Sequence, residues 1–336
     1  MNSPLSLDMN IIQIIGDDRT VISALVALNL TIVGSHRLQE QSNNDWITRE
    51  VRAPMVSFYT FESKAAKSKV SFHLIKPAEY DTEPQKRYPV VYWLHGSGGG
   101  LSGIPQLARH FDSAFKAQKT PPCLVVLVNG MVNGMYVDWK DGSRPIEQVI
   151  VNELVPHIDK QFRTVSTRKG RMLDGFSMGG YGSARLGFKY PEVFGAVSIV
   201  GAGPMQMRLL DAPRAGRKRA EEVLSKVYGG DQAYFRKVSP RTLAAKNAEK
   251  IRDHLLVRVV IGDKDETFPA NRDFHEHLVT LNIPHSWKIL PGIGHDPMGV
   301  LREMGDDNWT FYRQAFGYPE ITQKDVLRFS NWSSKS

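Results

Sequence analysis

Short apolar runs alternate along the chain with stretches in which apolar positions recur every three or four residues. "YPVVYWLHG" (88–96) and "CLVVLVNG" (123–130) are near-continuous apolar runs that end in glycine. Such runs read as strands buried on both faces, as in a parallel sheet. "GRMLDG", "GAVSIVGAG", "LLVRVVIG" and "SWKIL" repeat the signal further on. "MVSFYTFES" and "SKVSFHLIKP" alternate apolar with polar residues instead, and read as an antiparallel pair. Helical periods lie between the strands. Ile104, Leu107, Ala108, Phe111 and Phe115 share one face; Ile146, Val149, Ile150, Leu154 and Ile158 share another, after a Pro145 suited to a first helical position. "SMGGYGSARLGFKY" predicts a helix halted before Pro191, "FPANRDFHEHLVTL" one with Phe274, Leu278 and Leu281 inward, and "DNWTFYRQAF" a closing helix.

Strands and helices in alternation predict an α/β fold, a mostly parallel central sheet with helices on both faces. Chemistry in such sheets gathers beyond the carboxyl ends of the strands. The loops to read are therefore those after Leu94, Val128, Leu173, Val200, Ile261 and Leu290.

Composition narrows the options. With 41% hydrophobic and 23% charged residues in 336, the chain is of ordinary globular type. The longest apolar run, "VISALVALNLTIVG" (21–34), is too short to span a membrane. It also follows two aspartates and leads into "GSHRLQEQ", a poor cleavage site. A cytoplasmic location with no membrane partner is expected, and a degenerate signal for the periplasm or secretion is the lesser reading. The net charge of +8 raises nucleic acid as a partner, yet the one tight basic cluster, "RAGRKR" (214–219), has no interleaved aromatics and precedes two glutamates. It reads as a solvated helix start, and no nucleic acid is expected. Cys123 stands alone in an apolar run and reads as a buried thiol. There is no H-E-x-x-H and no cysteine cluster, so neither a metal nor a cofactor is expected. The oligomeric state has no signal in the pattern.

The chemistry concentrates in "RMLDGFSMGGYGSARLGF" (171–188), where Gly175, Gly179, Gly180 and Gly182 crowd around Ser177. An interior glycine weakens a helix or strand by roughly 0.5–1 kcal/mol relative to alanine, so the cluster needs a purpose. G-x-S-x-G between an apolar strand and a small-residue helix is that of a nucleophile elbow, in which a serine sits at the tip of a strained turn. A serine hydroxyl needs a base and a site for developing negative charge. "HGSGGG" (95–100), at the end of the "VVYWL" strand, suits the second need, with the N–H groups of Ser97 and Met178 as oxyanion donors. A phosphate loop is disfavoured, because no Gly-Lys-Ser/Thr follows.

Among the histidines, His295 in "PGIGHD" lies in a loop at a strand end and is the candidate base. His275 and His277, two apart on a helix, read as surface residues. His73, His110, His157, His254 and His285 read as structural, and His95 as a packing and hydrogen-bonding residue. The acid belongs to "DKDETF", where Asp263 and Asp265 both follow a strand-end glycine.

Taken together, "YPVVYWLHGSGGG", "LDGFSMGGYGSARLGFKYPEVFGAVS", "VVIGDKDETF" and "PGIGHD" resemble the α/β-hydrolase esterase family. It includes feruloyl esterases, S-formylglutathione hydrolase and the antigen 85 mycolyltransferases. The resemblance covers residues 55 to 315. It implies an α/β-hydrolase catalytic domain over 51–336, behind an N-terminal extension (1–50) that packs on the main body. By resemblance, Ser177 is the nucleophile, His295 the base and Asp265 the residue that orients it, with Asp263 in reserve. The implied activity is hydrolysis of a small-molecule carboxylic ester, with short acyl chains expected. Acyl transfer, feruloyl or carbohydrate-ester hydrolysis, and a non-catalytic binding domain are the alternatives. Asp138, Trp139, Asp141 and Arg144, on the loop within 129–147, either line the pocket or merely build the loop.

Overall fold

The computed structural model describes residues 44–214 and 216–319. Most of the expected N-terminal extension lies outside these residues, and the described fold belongs to the unit Trp46–Ser336. The apolar runs become eight strands: β1 (Val56–Ser63), β2 (Ser68–Ile75), β3 (Val90–Leu94), β4 (Leu124–Val128), β5 (Arg171–Phe176), β6 (Ala196–Val200), β7 (Leu256–Gly262) and β8 (Ser286–Leu290). They form one sheet in the order β1-β2-β4-β3-β5-β6-β7-β8. From β4 to β8 all neighbours are parallel, while β1 and β2 pair antiparallel with each other and β2 antiparallel with β4. The two strands with alternating patterns thus make the antiparallel part of the sheet, with β1 at its edge and β2 buried on both faces from Val70 to Ile75.

Five helices matter for the site: α1 (Ile104–Lys116), α2 (Met178–Lys189), α3 (Gly216–Tyr228), α4 (Phe268–Thr280) and α5 (Pro297–Ala315). On one face of the sheet, Tyr92, Val126, Leu173 and Val259 pack with Leu186 and Phe188 of α2 and Phe274 of α4. On the other, Val91, Val125, Met172 and Val260 pack with Leu107 and Phe111 of α1 and Val300 and Tyr312 of α5. Each large apolar side chain so buried contributes about 1.5–3 kcal/mol. Cys123 is fully buried within the second of these cores.

Two helices differ from expectation. The one after Pro145 runs as α-helix (Ile146–Gln148), π-helix (Val149–Leu154) and α-helix again (Val155–Gln161), with Pro145 at the cap rather than inside. Pro156 has no N–H for Asn152 and its ring would meet that carbonyl, and the wider π turn accommodates both. The closing helix starts at Pro297, ten residues earlier than its apolar period suggests. Asp296 caps it by accepting from the Met298 N–H (3.0 Å), and Gly305 (φ 50°) breaks it midway, which interrupts the period. The consequence is functional: His295 stands at the entrance of α5.

A buried ion pair ties α2 to the 129–147 loop. Arg185 donates to Glu147 and to the Tyr136 carbonyl (2.9 Å), and Lys189 and Tyr190 also bind Glu147. Burial alone would raise the Glu147 pKa, but Arg185, Lys189 and Tyr190 outweigh it and hold the carboxyl below its ordinary value. A depressed folded-state value gives stability that is present above about pH 4.3, the unfolded reference, and is lost as pH falls through the folded value. Glu147→Gln should therefore lower stability by about 3–5 kcal/mol at pH 7, since Arg185 is left unpaired. Urea titrations should show the gap narrowing below about pH 4. A gap independent of pH would mean that packing, not charge, carries the effect.

Candidate active site

Beyond β5 the chain turns sharply into α2, and Ser177 adopts φ 61°, ψ −120°. A side chain rarely takes that backbone, which persists only where surroundings impose it. Here the Ser177 N–H donates to Val200 O (3.0 Å), and its carbonyl accepts from Tyr181 and Gly203 (3.0 and 3.1 Å). The flanking glycines are required by contact. A Cβ on Gly175 would lie 2.5 Å from Gly179 O and 2.8 Å from Leu94 O, and one on Gly179 would overlap Leu94 O outright. Gly179→Ala should cost at least about 3 kcal/mol, because only backbone is there to move. A denaturation midpoint close to that of the unaltered chain would show that the turn can open.

His295 arrives from the loop between β8 and α5. Its Nε2 lies 2.9 Å from Ser177 Oγ and its Nδ1 2.7 Å from Asp265 Oδ2. A carboxylate only accepts, so Nδ1 carries a proton, and in the neutral imidazole the lone pair is then on Nε2, facing the serine hydroxyl. The other Asp265 oxygen accepts from both the N–H and the hydroxyl of Thr267 (2.8 Å each). Burial opposes ionisation of this carboxyl, which is 3% exposed, yet His295 and Thr267 together hold its pKa below the ordinary range. Asp263 points elsewhere and accepts from the Gly292 N–H (2.7 Å), joining the loops after β7 and β8. The structure thus brings Asp265, not Asp263, to His295.

The His95–Gly100 loop lies beside the serine: a Cβ on Gly96 would be 3.3 Å from Ser177 Cβ. His95 pins this loop. Its Nδ1–H donates to Gly96 O (2.7 Å) and its Nε2 accepts from the Gly130 N–H (3.1 Å). Because Nε2 accepts, the ring is neutral, and burial, which pushes its pKa down against the pull of Gly96, agrees. The Tyr136 hydroxyl donates to His95 O (2.9 Å), and Gly98 N–H to Val132 O (3.0 Å). Ser97 lines the cavity above Ser177. Met178 is the first residue of α2, so its N–H has no acceptor within the helix.

Ser177 and His295 open into a cavity of about 520 Å³. On the α1 and α5 side its walls include His73, Trp93, Leu107 and Leu127; on the other, Gln206, Leu209, Arg214 and Val223. Asp138, Trp139, Asp141 and Arg144 are absent from these walls. Asp138 accepts from Gln148 and Asp141 from Ser143, so both build the loop, and Asn129, Asn133 and Met135 face the cavity instead. "RAGRKR" does begin a helix, but its Arg214 and Arg219 border the cavity, where Arg214 pairs with Glu266. His73, read as structural, also lines the cavity. The alternation of β2 places it on the α1 face, but the opening there is not local information. Among the described residues, one group has its potential ligand atoms at metal-binding spacing: Asp265, Glu266 and His295. Two of its members already share a hydrogen bond.

An eight-stranded sheet of this order, with a serine at the β5–α2 elbow and a histidine and an aspartate on later strand-end loops, defines an α/β-hydrolase. The chain belongs to the Esterase family, which it matches over residues 63–316. It is similar to an esterase of Mycobacterium tuberculosis (strain ATCC 25618 / H37Rv), 29% identical over 276 residues, covering 74% of this chain and 57% of that protein. The chain therefore spans little more than half the length of that relative. A segment is 31% identical over 140 residues to an endo-1,4-beta-xylanase/feruloyl esterase of Xylanibacter ruminicola, covering 39% of this chain and 19% of that protein. Among solved structures, a ferulic acid esterase superposes with a TM-score of 0.65 at 20% identity, covering 78% of this chain and 98% of the other. An S-formylglutathione hydrolase from Agrobacterium tumefaciens does so with a TM-score of 0.63 at 19% identity, covering 81% and 99%. These two share the fold.

Proposed function

We propose that the protein hydrolyses small-molecule carboxylic esters through an acyl-enzyme on Ser177. The hydrogen-bonded line from Asp265 through His295 to Ser177 Oγ carries this reading. His295 Nε2 takes the hydroxyl proton as Oγ attacks the ester carbonyl, and the oxyanion is held by the N–H groups of Ser97 and Met178. Collapse of the tetrahedral intermediate expels the alcohol, which takes the proton back from His295. A water activated by the same Nε2 then attacks the acyl carbon and releases the acid. Asp265 stays ionised throughout; it fixes the imidazole tautomer and stabilises the transient imidazolium. The strained elbow favours this over a non-catalytic binding domain, which has no use for such a backbone.

A fluorophosphonate probe tests the reading directly. It should label the chain once, at Ser177, by mass spectrometry of the digested protein, and label Ser177→Ala not at all. Failure to label the folded, unaltered chain would overturn it.

A further inference from the structure

The cavity extends far beyond what the triad needs. His73, Leu127, Trp93 and Asp174 are successive register partners on β2, β4, β3 and β5, so their side chains share one sheet face. On this side, the arm of the cavity is lined by Trp93, Leu107, Ile104, Leu301 and His73. β2 lies three strand spacings from β5, roughly 14 Å. The far end is thus well removed from the serine and walled largely by apolar side chains.

His73 is unlike those walls. It is 2% exposed, and its Nε2 accepts the Val51 N–H (3.0 Å). Nε2 accepts and is therefore unprotonated, so the ring is neutral, and burial, which lowers its pKa against the pull of Glu50, agrees. A neutral ring that accepts at Nε2 carries its proton on Nδ1. That Nδ1–H has no acceptor among the described residues, and the ring borders the cavity, where a ligand can supply one. Its ring packs on Phe58 (centroids 5.0 Å apart) and lines the cavity.

We infer that this arm holds the distal part of the ester substrate, an apolar chain or ring that ends in a hydrogen-bond acceptor taken by His73 Nδ1–H. The acceptor is an ether, carbonyl or hydroxyl oxygen. This deepens the esterase reading and rests on it. The acyl and the alcohol portion would offer His73 the same chemistry, and the experiment separates them.

The full-length Ser177→Ala protein is titrated by calorimetry with two series, alkanoic acids and alkan-1-ols, each compared with ω-methoxy analogues of the same number of chain atoms. In one series, at one chain length, the ether-tipped compound should bind about fivefold to tenfold tighter than its methyl-tipped partner. The series that shows the preference identifies the portion in the arm. Adding His73→Phe should bring the ratio to about one. His73→Gln, whose carbonyl can accept from Val51 while its amide donates, should restore part of it. No preference in either series, or a preference that survives His73→Phe, would overturn the inference. If the Phe variant does not fold, the Ser177→Ala titrations and the Gln variant still decide. Binding is read without turnover, so a failed labelling experiment at Ser177 would sink the hydrolysis proposal separately from this one.

Discussion

Ser177→Ala should reduce hydrolysis of p-nitrophenyl acetate by roughly a million-fold in kcat, while the urea midpoint stays within the equivalent of about 1 kcal/mol. The two halves of this expectation have different physical origins. Activity falls because the only hydroxyl at the elbow, 2.9 Å from His295 Nε2, is gone. Stability is nearly unchanged because alanine meets the φ of 61° with the same Cβ that serine has, and the clamps to Val200, Tyr181 and Gly203 are all backbone. What is lost is one hydrogen bond, about 1 kcal/mol net. The residual rate should still exceed that in water, since the oxyanion donors and the cavity remain. Steady-state kinetics settle it: activity within tenfold of the unaltered enzyme would remove Ser177 from the mechanism.

The second large effect separates the two aspartates. Asp265→Asn should lower kcat by about 10⁴-fold, and the geometry says why. Asp265 Oδ1 accepts both Thr267 donors, so the asparagine oxygen will take that position. Its amide nitrogen must then face His295 Nδ1 and donate to it. The ring shifts its proton to Nε2, and the lone pair that should receive the serine proton is gone. Asp263→Asn keeps an oxygen for the Gly292 N–H, so kcat should change less than about threefold and stability by at most about 1 kcal/mol. Kinetics of the two variants side by side decide; the reverse ranking would move the orienting role to Asp263 and leave Ser177 and His295 in place.

Much of this protein was legible one segment at a time. Strands buried on both faces leave continuous apolar runs, so β3 to β7 stood out without any knowledge of their neighbours. The alternation of β1 and β2 marked them as an antiparallel pair for the same local reason, while their place at the edge came from the assembled sheet. The elbow was legible because its glycines answer to contacts made by an adjoining turn, strand and helix, a requirement that recurs wherever this turn is built. His295 could be chosen by position, because strand-end loops are where such sheets gather chemistry.

Other features needed the assembled fold. Whether Asp263 or Asp265 meets His295 depends on two loops some thirty residues apart that cross, with Asp263 joining them and Asp265 turned inward. The polar residues of the 129–147 loop look equally suited to a pocket or a turn, and only Gln148 and Ser143 beside them show that they build the turn. Arg214, just before α3, and Arg219, on its first turn, border the cavity, which their local sequence does not reveal. His73 shows the division most clearly. Its position in β2 read only as structural, but α1 and α5, from elsewhere in the chain, leave the cavity that its ring borders. By itself, the sequence determined which elements form and where the reactive turn lies, because backbone propensity and burial act over a few residues. Only the tertiary structure decided which side chains meet, because a hydrogen bond or a cavity wall depends on distances between segments that no local pattern encodes.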